Sequence, residues 1–346
     1  MINFLTLPES FGIGSFQIAF YAIFILAGAL CALFIGMYRV KKLGYQASRL
    51  ENLFLVAFPA GIIGARLWYV ICTWKDYFLP VFEDEGFWAG LGNIVGITSS
   101  GFKLAGLAIQ GGVFLGIFIG IWFVMRFRKE MKPLDIADCC IPGILLAQAI
   151  GRFGNFFNRE VYGMPVDSKP WEWLGKVFVE QMTIHGQFRL PLFLIEGTIN
   201  VIGFCVLTFV LGYWLKKYLV PGTVVFSYFI WYGTVRAILE PLRDPVDIMG
   251  DFISVKTSIA FIIIGVVGIA FLYAYRYYLK KKFKLHWFDK KVAPNVYVDF
   301  ASDNYIDNDN NIIEKPEFVN VSESKAEEKV ETITPDVSNT EDKNGK

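Results

Sequence analysis

The chain has 346 residues, of which 54% are hydrophobic and only 19% charged, with 33 Phe, 16 Tyr and 9 Trp. Soluble domains carry roughly 25% charged residues, and apolar runs of about 20 residues match the hydrocarbon core of a bilayer; the composition excludes a soluble enzyme and predicts an all-α polytopic membrane protein. The formal net charge of +1 hides a split, because Asp299 to Lys346 hold 13 acidic against 5 basic residues while the preceding body is basic. No separable basic patch remains for nucleic acid.

The N-terminal 15 residues hold no Lys or Arg, and the apolar run after them is too long for the core of a cleaved signal. About seven transmembrane helices are predicted, near 16–37, 52–73, 105–125, 134–151, 191–214, 222–242 and 255–275. The fourth, with Asp135, Asp138, Pro142 and Gln148, reads as a helix screened from lipid by its neighbours. Loops 38–51, 126–132, 215–221 and 276–291 hold 4, 4, 2 and 7 Lys/Arg; segments 1–15, 74–104, 152–190 and 243–254 hold 0, 2, 5 and 1. The positive-inside rule then places the N-terminus outside and the C-terminus in the cytosol. Residues 1–291 are expected to form the membrane domain, with a small external head at about 164–190. Residues 292–346 read as an acidic, disordered cytosolic tail. Gly112, Gly116 and Gly120, four apart in the third span, read as a helix-packing stripe. Neither the five cysteines nor the two histidines, His185 and His286, have the spacing of a metal site or a disulfide framework, so no metal and no cofactor are expected.

Ionisable side chains within spans are costly and face protein or water-filled interiors, so each is a functional candidate. On this topology Tyr21, Arg66, Gln110, the segment Arg152 to Glu160, Glu196, Arg236 and Glu240 all fall in the outer half. A permeation path needs polar groups through the whole thickness, whereas chemistry on a lipid headgroup needs them at one leaflet. Tyr232, Arg236, Glu240 and Arg243 are spaced 4, 4 and 3 and so line one helical face. Arg66 sits roughly 12 Å from the outer end of its span at 1.5 Å per residue, deep enough to want an anionic partner. Asp138, in the first turns of span 4, reads as structural, a carboxylate placed for the helix dipole.

The segment Gly151-Arg-Phe-Gly-Asn-Phe-Phe-Asn-Arg-Glu-Val-Tyr-Gly163 combines glycines for close backbone approach, arginines suited to phosphate and amides that hold hydroxyls or carbonyls. It resembles the G-R-x-G-N-F-x-N-x-E-x-x-G signature of the prolipoprotein diacylglyceryl transferases, matching at Gly151, Arg152, Gly154, Asn155, Phe156, Asn158, Glu160 and Gly163. Phe20-Tyr21, Gly64-Ala-Arg66, Gly106-Leu-Ala-Ile-Gln110-Gly-Gly112 and Tyr232-Gly-Thr-Val-Arg236 with Glu240 and Arg243 resemble further elements of that family, over about residues 16 to 275. There are two departures. Gln110 stands where the family commonly has a histidine, and Leu190-Pro-Leu-Phe-Leu-Ile-Glu196 stands in place of H-P-S-Q-L-Y-E.

The resemblance implies a multi-pass enzyme of the bacterial cytoplasmic membrane with its site toward the outer leaflet. Such an enzyme transfers the diacylglyceryl group of phosphatidylglycerol to the lipobox cysteine in the signal peptide of a preprolipoprotein. It implies catalytic roles for Arg152, Arg236, Glu160, Glu240 and Gln110. It implies substrate binding by Tyr21, Arg66, Asn155, Asn158, Gly163, Tyr232 and Arg243. The residues read by themselves leave two rivals open, a lipid or anion transporter that uses the same arginines as its binding site and a structural or lipid-sensing membrane protein.

Overall fold

The computed structural model describes residues 10–13, 16–98, 101–102, 106, 108–127, 132–216, 218–244, 251–279, 290–293, 296–298, 304–307 and 311–314. A short hairpin of β1 (Ser10–Ile13) and β2 (Phe16–Ala19) leads into α1 (Phe20–Lys42). Next come α2 (Ala47–Cys72), the short helices α3 (Leu79–Asp84) and α4 (Phe87–Val95), and a hairpin of β3 (Ile97–Thr98) and β4 (Gly101–Phe102). Then follow α5 (Ile109–Arg126) and α6 (Pro133–Asn158). After a lobe described below come α8 (Leu192–Cys205), which runs on as a π-helix to Trp214, α9 (Thr223–Leu239) and α10 (Asp251–Ala274). These helices coincide with the seven predicted apolar segments. Five of them are long and apolar enough to cross a membrane, while α5 and α9 are shorter.

Glycines set the closest helix contacts, and those contacts fix the register that builds the site. A Cβ on Gly28 would lie 2.8 Å from the Ala147 carbonyl oxygen, one on Gly143 3.2 Å from Ala32 Cα, and one on Gly154 2.7 Å from the Tyr21 ring. α1 and α6 are therefore antiparallel neighbours along their length, which brings Tyr21 beside the 151–163 segment at one end and Arg39 beside Cys139 at the other. α2 and α5 approach through Gly64 and Gly111, and α9 and α10 through Gly233 and Gly265. The predicted stripe in α5 holds only at Gly112, which meets Gly61; a Cβ at Gly116 or Gly120 would meet nothing within 4 Å. The spacing is right, but only Gly111 and Gly112 sit back to back with α2; farther along, the two helices meet through larger side chains, Leu50 with Phe123 and Arg49 over the Phe127 ring.

The lobe between α6 and α8 holds a 3₁₀ turn (Lys169–Leu174), α7 (Lys176–Gln181) and a hairpin of β5 (Thr183–Ile184) and β6 (Gln187–Phe188). It is anchored by aromatic packing, with Phe156 stacked on Phe193 at 4.5 Å and on Phe178 at 5.7 Å. Buried Gln181 donates to the Phe156 and Phe157 carbonyls at 3.0 and 3.2 Å, satisfying acceptors that the end of α6 leaves open.

At the opposite end of the bundle, β7 (Lys290–Ala293), β8 (Val296–Val298), β9 (Tyr305–Ile306) and β10 (Ile312–Ile313) form an antiparallel meander. This differs from the expectation of disorder from residue 292 onward. Tyr297 and Ile306 are buried in a cluster with Val40, Tyr45, Leu50, Phe123 and Ile136, and Lys132 Nζ lies 4.5 Å over the Tyr297 ring. A few apolar residues spaced through an acidic segment are enough to dock it. Residues 315–346 of the expected tail lie outside the described residues.

Candidate functional site

At the end of the bundle that carries the lobe, three arginines and two buried glutamates alternate in one chain of ion pairs. Arg152, on the penultimate turns of α6, pairs with Glu196 in the second turn of α8. The other oxygen of Glu196 lies 3.9 Å from Arg243 Nη2. Arg243 Nε lies 3.4 Å from Glu240 Oε2, and Arg236 Nε lies 3.1 Å from that same oxygen. The sum is one surplus positive charge, held where the carboxylates are buried and the arginines partly exposed. Buried carboxylates are tolerable only when paired, and here each serves two guanidiniums. The arrangement is suited to a singly charged anion such as a phosphodiester.

The predicted polar stripe converges, although not on one helical face. α9 ends at Leu239, a 3₁₀ turn containing Pro241 covers Glu240–Leu242, and Arg243 is extended. Arg243 is placed by chain pairing instead. Residues 162–164 run between 188–190 and 242–244: Gly163 N–H donates to Leu190 O at 2.9 Å, Met164 N–H to Leu242 O at 2.9 Å, and Gly163 and Arg243 form an antiparallel bridge. An Arg189–Asp244 ion pair closes the same junction. Gly163 is thus a packing position: a Cβ there would stand 2.7 Å from Leu190 Cβ. Tyr232, earlier on α9, is stacked on Tyr228 at 6.0 Å and meets Phe261 edge-on at 5.4 Å.

Where α6 ends, two non-glycine residues adopt left-handed backbone, Arg159 at φ 54° and Val161 at φ 55°. A β-branched residue is rarely found there, so the turn is strained and held by its surroundings. Arg159 donates to the Thr183 carbonyl, and Glu160 N–H to Asn155 O at 3.0 Å. Asn155 is buried, Asn158 half-buried and Glu160 exposed. The Tyr21 hydroxyl stands within electrostatic range of both Arg152 and Glu160.

The structure does not bring every predicted residue into this cluster. Arg66 donates from Nε to Ile94 O at 2.9 Å, from Nη1 to Gly106 O at 3.1 Å and from Nη2 to Asn93 O at 2.7 Å, and its guanidinium lies near the Tyr69 and Phe78 rings. Its depth required a partner, and backbone carbonyls at the end of α4 and before α5 supply it. Gln110 stands exposed in the first turn of α5, after an Ala108 N–H bond to Ala65 O at 3.0 Å. Asp138, expected to serve the dipole of its own helix, instead accepts from the Gly222 and Val225 N–H groups at 2.7 and 2.9 Å at the start of α9. Glu196, which the sequence marks as an ionisable residue in an apolar helix and as the glutamate kept from H-P-S-Q-L-Y-E, proves to be the link between Arg152 and Arg243. The signal was present: a lone carboxylate in so apolar a segment needs cations.

The chain is also similar to known proteins. The family described as prolipoprotein diacylglyceryl transferase matches residues 8–273. A phosphatidylglycerol–prolipoprotein diacylglyceryl transferase from Streptococcus uberis is 35% identical over 261 residues, covering 75% of this chain and 93% of that one. The protein of the same name from Streptococcus agalactiae is 34% identical over 272 residues, covering 78% and 96%. That from Lactococcus lactis subsp. cremoris is 35% identical over 265 residues, covering 76% and 92%.

Proposed function

The chain belongs to the prolipoprotein diacylglyceryl transferase family, and from that premise we propose that it transfers the diacylglyceryl group of phosphatidylglycerol to the lipobox cysteine of preprolipoproteins. The observation that carries this reading to particular residues is the chain Arg152–Glu196–Arg243–Glu240–Arg236, with its surplus positive charge at one end of the bundle. The protein lies in the bacterial cytoplasmic membrane with seven spans, its N-terminus and the 164–190 lobe outside and its site toward the outer leaflet. The distribution of basic residues over the loops supports that orientation.

The reaction makes a carbon–sulfur bond and breaks a carbon–oxygen bond. The cysteine thiol loses its proton, the thiolate attacks the glyceryl carbon that bears the phosphodiester, and glycerol phosphate departs with the bonding pair. Charge grows on the leaving phosphate, so donors fixed around it lower the barrier most where water is scarce. Arg152 and Arg236 take that task, with Arg243 in support; Glu196 and Glu240 hold the three guanidiniums apart from one another and in place. The same positive field favours the thiolate.

With glutamine at position 110, a histidine base is not available there. Glu240 is engaged by two arginines. Glu160, exposed and beside Tyr21 where Glu240 is buried, is the acceptor for the thiol proton, with the substrate phosphate as the other route. Asn155 and Asn158 orient headgroup oxygens, and Tyr21 and Tyr232 hydrogen-bond to phosphate or glycerol. Arg66 and Gly163 act through the backbone they hold. The test is product chemistry: the protein reconstituted with phosphatidylglycerol and a lipobox peptide should yield a peptide heavier by one diacylglyceryl group. A Cys→Ser peptide should yield none, and modification of the serine peptide to the same extent would refute thioether formation.

A further inference from the structure

At the end of the bundle away from the arginine chain, a cavity of about 420 Å³ lies between the last turns of α1, the first turns of α6, the π-helical end of α8 and the start of α9. Its size falls within the range of ligand pockets, about 300–1,000 Å³. Phe209, Leu211, Val220 and Val224 make an apolar wall, and Arg39, Lys42 and Lys216 supply three cations. Arg39 crosses the face of Gly212, where a Cβ would come 2.5 Å from a guanidinium nitrogen. One of its N–H groups goes to the Cys139 carbonyl at 2.8 Å, and among the described residues no carboxylate forms an ion pair with it.

The two aspartates of the cavity are already engaged, Asp138 by two backbone N–H groups of α9 and Asp135 by the Tyr45 hydroxyl at 3.2 Å. Thr208 also lines the cavity, and among the described residues its buried hydroxyl has no hydrogen-bond partner. Buried hydroxyls are ordinarily satisfied, and a polar group of a bound molecule would satisfy this one. Tyr38 and Tyr213 stand exposed at the mouth, the position that amphipathic rings take at a membrane interface.

We propose that this cavity is a second lipid site, distinct from the transfer site, that holds an anionic phospholipid of the opposite leaflet with its phosphate at Arg39 and Lys216 and an acyl chain against Phe209, Leu211 and Val224. Arginine and lysine at one rim suit a phosphate. A free phosphate would leave the apolar wall uncovered, which decides for the lipid.

The full chain in lipid nanodiscs, given a phosphatidylglycerol carrying a photoactivatable acyl chain, should form adducts on peptides spanning 208–224. Those adducts should persist in millimolar inorganic phosphate. They should fall about tenfold in Arg39→Gln and in Lys216→Gln, the scale of one charge-assisted contact. Lys216 follows the π-helix, on a different element from Arg39, so its variant reports even if Arg39→Gln fails to fold. Equal labelling by a phosphatidylcholine probe, unchanged labelling in both variants, or displacement by inorganic phosphate would each overturn the proposal. The adducts are read independently of transfer activity, so this test and that of the enzymatic function fail separately.

Discussion

Gly163→Ala isolates the part of the site that depends on backbone packing. The added Cβ would stand 2.7 Å from Leu190 Cβ, 2.9 Å from Leu242 O and 3.0 Å from Leu190 O. Carbon atoms prefer separations of about 3.5–4.0 Å, so one flanking segment must move out by roughly 1 Å. Overpacking of this kind costs about 1–3 kcal/mol, which a bundle of this size should survive. The segment that bears Leu242 also bears Arg243, whose guanidinium meets both Glu240 and Glu196. A ~1 Å displacement of a positioned group can cost about 10²-fold in rate. The expected outcome is therefore a protein that inserts and unfolds nearly as the parent does but transfers diacylglyceryl about 100-fold more slowly. Initial rates of peptide modification and thermal unfolding in detergent measure the two effects. Gly116→Ala is the control, since a Cβ there meets nothing within 4 Å; it should stay within about twofold of the parent. Equal rates for the two variants would refute the argument that Gly163 positions Arg243.

Glu196→Gln removes the carboxylate shared by Arg152 and Arg243 while keeping its shape. kcat should fall while KM for phosphatidylglycerol does not rise, because net positive charge is gained, and steady-state kinetics separates the two. Arg66→Ala strands the carbonyls of Ile94, Gly106 and Asn93, and at roughly 1–3 kcal/mol per unsatisfied group it should lower the unfolding temperature strongly. Arg66→Lys, unable to reach all three, should rescue only part of that loss. Truncation before Lys290 uncovers the cluster that Tyr297 and Ile306 complete. It should cost about 3–5 kcal/mol in stability yet leave transfer activity in place, since the arginine chain lies at the other end.

The helices were legible because their apolar runs have membrane length, and the signature between Gly151 and Gly163 was legible because glycine, arginine and asparagine rarely alternate in a membrane segment. What the sequence hides is partnership. Arg66 and Arg152 look alike as arginines in spans, and only the fold shows that one holds backbone carbonyls while the other joins the glutamates. Gly163 looks like a flexible turn residue and proves to be a point of closest contact between three segments. Arg243 lies on the predicted helical stripe, yet Pro241 ends the helix before it and strand-like pairing restores its place. The C-terminal strands were obscured by their acidic neighbours, since two buried side chains carry little weight in a compositional average.

The most direct test of the account is the mass of a lipobox peptide after incubation with labelled phosphatidylglycerol and either the reconstituted parent or Arg152→Ala. Among the described residues the variant leaves Glu196 only the Arg243 guanidinium at 3.9 Å, so its insertion and lipid content are verified first. The account predicts a peptide carrying one diacylglyceryl group with the parent, and a rate lower by about 10²–10³-fold with the variant, the scale of losing one donor to developing charge. Product formed by Arg152→Ala at the parental rate would contradict it, as would headgroup or anion flux across the membrane with no modified peptide from either protein.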